Sequence, residues 1–202
     1  VPAGVMAFVA VWAAKGLVIL QPNEAAVMTL FGNYAGTLRR DGFFFVNPFY
    51  ARRRLSLRAR NFTTPTLKVN DLAGNPIEVA AVITWRVEDT AQAAFDVEDF
   101  ESYTHVQSEM GLREVASGHR YDAQGASREV TLRGSFEAVS RLLAVTIQSH
   151  VAIAGVCVQE ARLTHLAYAS EIAAVMLRRQ QAEAVIAARE KMVEGALGMV
   201  KL

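Results

Sequence analysis

Hydrophobic and polar positions alternate most regularly between Pro76 and Glu88. Ile77, Val79, Ala81, Ile83, Trp85 and Val87 fall on one side, and Glu78, Ala80, Val82, Thr84, Arg86 and Glu88 on the other. A period of two over this length predicts a strand with one face on the core, central to an antiparallel sheet. The preceding Asn70–Asn75 (NDLAGN) predicts a hairpin turn, with Gly74 and Asn75 suited to positive φ. A second alternation covers Arg52 to Arg60, where Leu55, Leu57 and Ala59 point to the core and Arg52, Arg54, Ser56, Arg58 and Arg60 point away. Earlier, Gly16–Leu20 and Ala25–Phe31 are apolar runs on either side of Gln21-Pro22-Asn23-Glu24 and predict a strand pair. Gly32, Gly36 and Gly42 then mark a loop-rich passage that ends in an extended bend at Asn47-Pro48.

The period changes after Glu88. Asp89 to Phe95 predicts a short helix. Asp99 is placed to cap a helix whose apolar face is Phe100, Tyr103, Val106, Met110 and Leu112, ending at Gly118. Ser135 is placed to cap another, with Phe136, Val139, Leu143, Ile147 and Val151 on one face and a stop near Gly155. Val156–Leu166 returns to strand. Its apolar phase shifts between Val156/Val158 and Ala161/Leu163, which predicts a bulge or a change of partner. From about Ala169 a helix runs to the end without Pro. Val185, Met192 and Met199 form one stripe on it, and Ile186, Val193 and Val200 form the adjacent one. That arc is broader than a two-stranded seam and suits packing between two neighbours or folding back on the chain's own domain.

Composition adds an interface. Val1 to Ala14 carries no charge, and Lys15 interrupts the run before Gly16–Leu20. A stretch of this length is shorter than the roughly 20 residues a crossing helix needs. With Trp12 and Lys15 at its edge, it reads as the end of a membrane helix, a re-entrant segment, or an apolar element packed on a soluble core. The chain opens on Val1 and stops at Leu202 inside a helical pattern, so both ends read as cuts through a longer protein.

Arg39 to Arg60 sets Phe43, Phe44, Phe45 and Phe49 beside Arg52, Arg54, Arg58 and Arg60. The aromatics read as membrane-contacting. The arginines suit lipid head groups, each adding about 1 kcal/mol near an anionic surface. They equally suit a solvated strand face paired with Glu78, Glu88 or acids of a neighbouring subunit. The net charge of +1 argues against nucleic acid as a partner.

Catalytic chemistry is not written in the chain. There is no Gly-x-Ser-x-Gly elbow, no phosphate-binding glycine loop and no helical histidine pair at zinc spacing among His105, His119, His150 and His165. The single cysteine, Cys157, excludes an internal disulfide and sits in a predicted strand as a small hydrophobe. No cofactor or metal is expected.

Gln21–Phe49 (QPNEAAVMTLFGNYAGTLRRDGFFFVNPF) resembles the opening of the SPFH or band 7 domain of stomatins, prohibitins and flotillins. Arg54–Thr64 (RLSLRARNFTT) and Leu67–Asp89 resemble that domain's next strands, and Val156–Ala196 its last strand and long helix. Where that loop usually carries Pro before its glycine, this chain has Asp41. The resemblance implies an α+β fold, an antiparallel-rich sheet with packed helices, over residues 21–167. A membrane-associated apolar segment (1–20) precedes it and a long coiled-coil-type helix (168–202) follows. It also implies a non-enzymatic, membrane-anchored scaffold that assembles laterally into a ring or cage at the cell membrane, on the cytoplasmic side. The long-helix stripes would form its seam. Its partners would be itself or a related chain, membrane lipids, and a membrane protein such as a protease or channel. The alternative is a peripheral peptide- or ligand-binding α/β module without large assembly.

Overall fold

The computed structural model describes residues 15–122 and 130–200. Its core is organised on β8 (Pro76–Val87), the strand with the clearest alternation. A strand has two edges. β9 (Val156–Tyr168) runs antiparallel along one of them for almost its whole length, so β6 (Arg60–Thr63) and β7 (Leu67–Asn70) share the other. Ile77, Val79, Ala81, Ile83, Trp85 and Val87 are all buried, as the period of two predicts. The turn before β8 uses Gly74 at φ 81°, with the Gly74 N–H donating to the Asp71 carbonyl.

Helices cover the buried face. Asp89 caps the short α1 (Thr90–Phe95), accepting from the Ala91 and Gln92 N–H groups, and Asp99 caps α2 (Phe100–Gly118), accepting from Glu101 N–H. α3 (Phe136–Val151) buries Val139, Leu143, Ile147 and Val151 completely, the stripe its spacing predicts. Each of those side chains contributes about 1.5–3 kcal/mol relative to exposure. Phe136, expected on the same stripe, is 46% exposed. The predicted face of α2 is also corrected. Val106 and Met110 are exposed, and the buried stripe is Phe100, Thr104, Ser108, Gly111, Leu112 and Val115. Small residues line it because α3 approaches closely: a Cβ on Gly111 would meet Ile147 Cγ1 at 3.0 Å.

The first third departs most from expectation. β1 (Leu17–Leu20) and β2 (Glu24–Leu30) do not pair with each other. β1 pairs with β4 (Gly42–Phe45), while β2 lies between β3 (Asn33–Leu38) and β5 (Ala51–Ser56). The passage expected to be loop-rich therefore holds two strands. The expected single strand from Arg52 to Arg60 is two, because the chain leaves β2 at Leu57, whose N–H turns to the Asn23 carbonyl at 2.8 Å. Leu55 is buried and Leu57 half-buried, but Ala59 is exposed, against the predicted alternation.

The expected membrane foot over residues 1–20 is corrected where it is described. Lys15 and Gly16 form a turn, and Leu17–Leu20 is a strand whose Val18 and Leu20 are buried beside Ala26. Hydrogen bonding to β4 claims this backbone for the folded body. Val1 to Ala14, with Trp12, lies outside the described residues. Among the described residues no helix is long and apolar enough to cross a membrane. α4 (Ser170–Val200) has the length, but charges are spread around it. Its half-buried positions up to Gln180 are Ile172, Met176 and Gln180, and residues 181–196 are exposed.

Candidate functional site

Two surface features combine geometry with unused binding capacity. The first is the trough between α3 and the outer edge of β9. Ala81 of β8 faces away from β9, since its N–H donates to Thr64 Oγ1 and its carbonyl accepts from the Thr64 N–H, both at 2.9 Å. Backbone groups alternate sides along a strand, so Thr84 and Val82 bond to β9 through their partners Glu160 and Arg162. The N–H and C=O groups of Ala161 and Leu163 then point out of the sheet, and among the described residues no strand pairs with them.

α3 flanks this edge. Near the start of β9, Gln148 donates from Nε2 to the Val156 carbonyl at 3.0 Å and accepts on Oε1 from the Val158 N–H at 2.7 Å. Further along, two cavities adjoin at Phe136. One, of about 380 Å³, is lined by Phe136, Glu137, Ser140, Arg141, Glu160 and Arg162. The other, of about 200 Å³, has Leu132, Phe136, Leu163 and Leu166 among its walls, with Arg133 and His165 at the rim. Glu160 and Arg162 form an ion pair, and Arg133 pairs with Asp122 at 3.4 Å. Sequence patterning missed this site because it assigned Phe136 to the buried stripe. The phase shift in β9 was the available signal: register shifts fall opposite Thr84/Trp85 and Ala80/Ala81, on either side of Glu160–Leu163.

The second feature is an aromatic edge. Across the β1–β4 ribbon Leu17 faces Phe45 and Ile19 faces Phe43, and all four are exposed. Phe44 lies opposite Val18 on the ribbon's other face and is half-buried, so the three consecutive phenylalanines do not act together. Phe49 is exposed beside Phe31, ring centroids 6.3 Å apart, and Phe31 is 86% exposed. Leu17, Ile19 and Phe31 went unassigned because they read as ordinary strand residues.

The arginines divide. Arg52 donates to the carbonyls of Lys15 and Leu17, tying β5 to the start of β1. Arg60 pairs with Glu101 and lies 5.8 Å from the Trp85 ring centroid, tying β6 to α2. Arg54 and Arg58 are exposed. Neither Glu78 nor Glu88 pairs with this ladder through its carboxylate; Glu78 faces Lys68 at 3.7 Å. On α4, Val185, Ile186, Met192, Val193 and Met199 are exposed, and the Val200 side chain lies outside the described residues.

The remaining chemistry-bearing residues have structural surroundings. His105 stacks on Phe62 at 4.1 Å, His119 Nδ1 is 3.0 Å from the Val115 carbonyl, and His150 sits 3.3 Å from Glu114. Burial, and then the Glu88 carboxylate, push the Cys157 thiol above its ordinary range. Burial also raises Tyr168, whose ring lies 4.0 Å from that of Tyr121. Among the described residues no group of three His, Cys, Asp or Glu could hold a metal ion.

The SPFH domain / Band 7 family model matches residues 18–196. No curated protein matches the chain. Domains of this family are non-catalytic scaffolds, often membrane-associated. The expectation of a membrane-anchored scaffold assembling laterally is corrected: its foot was to run through Leu20, and the described end of that foot is strand β1, with no crossing helix among the described residues. The binding-module alternative agrees better with this architecture.

Proposed function

We propose that this chain, which belongs to the SPFH domain / Band 7 family, acts as a non-enzymatic peripheral binding module that takes a peptide in the trough between α3 and β9. The observation that carries this reading is the pair of adjoining cavities beside a strand edge that no strand among the described residues pairs with. Concave sites with an apolar floor and a few polar groups are where proteins bind ligands. Strand edges are where extended segments bind.

The aromatic edge supplies the peripheral character. Leu17, Ile19, Phe43 and Phe45 on one ribbon face, with Phe31 and Phe49, present an apolar surface that suits the interfacial zone of a lipid bilayer on its cytoplasmic side. Arg54 and Arg58 are free to meet anionic head groups, whereas Arg52 and Arg60 serve the fold. The module reading expects a monomer or dimer in solution, with the exposed apolar positions of α4 available as a seam.

The test is an array of random peptides of about eight residues, near the usual strand length, probed with the purified chain and with Phe136→Glu. Phe136 is exposed at the first turn of α3, where an acidic residue suits the helix. Selective binding that Phe136→Glu abolishes supports the module. No binding, or binding indifferent to that substitution, overturns the groove assignment. Light scattering that finds a large closed particle overturns the small-module reading.

A further inference from the structure

We propose that the peptide enters the α3–β9 trough as an added β-strand, pairing its backbone with Ala161 and Leu163; the proposal rests on the reading of that trough as a peptide site. Proteins usually blunt their edge strands with charge and bulges. β9 has both, yet its register shifts bracket the run Glu160–Leu163 and leave it regular. Before that run the edge is already closed by Gln148. Its carboxamide gives one hydrogen bond to the Val156 carbonyl and takes one from the Val158 N–H. One residue of a neighbouring strand would make the same pair of bonds. Nothing among the described residues does so for Ala161 and Leu163, so an incoming backbone would continue the line that Gln148 begins.

The occupant follows from the walls. Alternate side chains of an added strand face α3, spaced about 6.6–6.8 Å along one face. The smaller cavity, beside Leu163 and Leu166, takes an apolar side chain. The larger lies beside Glu160 and Arg162, the neighbouring stretch of the same edge. Across the two, Arg162 pairs with Glu160 and Arg133 with Asp122, and Arg141 is balanced by Glu137, so the walls select for an apolar side chain and not for a charge. The partner is therefore an extended segment of another protein that places an apolar side chain in the smaller cavity. A helix cannot satisfy this site, because its backbone groups are already bonded internally.

The experiment takes the strongest array peptide and N-methylates its backbone one residue at a time. In an added strand, alternate N–H groups bond to β9 and those between face out. Affinity should fall about tenfold or more at every second position and hold at those between. Equal sensitivity along the peptide, or none, overturns strand addition. If Phe136→Glu still abolishes binding in that case, the trough reading survives and only the mode is wrong. Binding that persists in Phe136→Glu overturns both, as does an array with no bound peptide.

Discussion

Asp89 and Gly155 are locked together at the junction of β8 and β9. The Asp89 N–H donates to the Gly155 carbonyl at 2.9 Å, and a Cβ on Gly155 would fall 2.3 Å from the Asp89 carbonyl oxygen. Gly155 also holds φ 63°, a left-handed conformation that costs other residues about 1–2 kcal/mol. Gly155→Ala should thus destabilise by about 2 kcal/mol or more, read as a lowered urea midpoint. Gly155→Asn separates the two causes: Asn tolerates the positive φ but keeps the Cβ. If it restores the midpoint, the close approach to Asp89 is not the reason for glycine.

Asp71 holds the β7–β8 turn against the chain leaving α2. One carboxylate oxygen accepts the Ala73 and Asn75 N–H groups at 2.9 and 2.8 Å. The other accepts Asn75 Nδ2 at 3.3 Å and the Tyr121 N–H at 3.2 Å. The residue is 5% exposed, so Asp71→Ala strands several donors away from water. A loss of about 2–4 kcal/mol is expected by chemical denaturation, with Asp71→Asn milder because it keeps one acceptor. Equal losses for the two would show that space, not hydrogen bonding, matters there.

Where one residue's neighbours decide its environment, the sequence was readable. β8 buries every residue its alternation assigns to the core, and Asp89 and Asp99 cap the helices they precede. Where the environment comes from a distant segment, it was not. The buried stripe of α2 is set by Ile147 pressing on Gly111, a contact between two helices that neither helix's own pattern encodes. β1 and β2 have strand sequences, but their partners are chosen by β4 and β5, more than twenty residues on. The site suffered likewise. An unpaired edge is a property of topology, so Ala161 and Leu163 could not be singled out before the order of strands was known. Phe43, Phe45 and Phe49 were legible as exposed aromatics, but Phe44 needed the register of β4.

The division of the phenylalanines is testable. Phe43→Ser with Phe45→Ser removes half of the exposed ribbon face, whereas Phe44→Ser touches the other side. In co-sedimentation with vesicles of phosphatidylcholine and phosphatidylserine, the double variant should lose most of the bound fraction. Phe44→Ser should retain binding but lower thermal stability, because its ring is half-buried. Equal binding by all three proteins would rule out the ribbon as the lipid contact.

Cys157 should be a slow thiol. Its pKa is raised above the ordinary 9.0, first by burial and then by Glu88, so less thiolate is present at any given pH. Alkylation by iodoacetamide should lag free cysteine at neutral pH and accelerate only above that value. Glu88→Gln should speed it modestly, since the larger cause, burial, remains. A rate matching free cysteine would contradict the half-buried placement in β9.

The attachment of α4 should be bounded by pH at both ends. Lys68 of β7 lies 2.8 Å from Glu171 in the first turn of α4 and 3.7 Å from Glu78. The hydrogen bond from Lys68 lowers Glu171 below its ordinary 4.5, and the bond to Glu171 raises Lys68 above 10.5. For a depressed carboxylate, the stabilising contribution is present above the ordinary value and lost as pH falls through the lowered one. For a raised lysine, it is complete below the ordinary value and lost as pH rises through the raised one. The pair therefore holds from about pH 4.5 to 10.5 and weakens outside that window. Both groups are exposed, so salt should screen the effect. Carboxyl carbon shifts should place the Glu171 midpoint below that of a free glutamate, and Lys68→Met should move it back up. Glu171→Gln should relax Lys68 only in part, because Glu78 remains beside it. A Glu171 midpoint unmoved by Lys68→Met would mean that the helix start is held by its backbone alone, through the Ile172 and Ala173 N–H bonds to the Ala169 carbonyl.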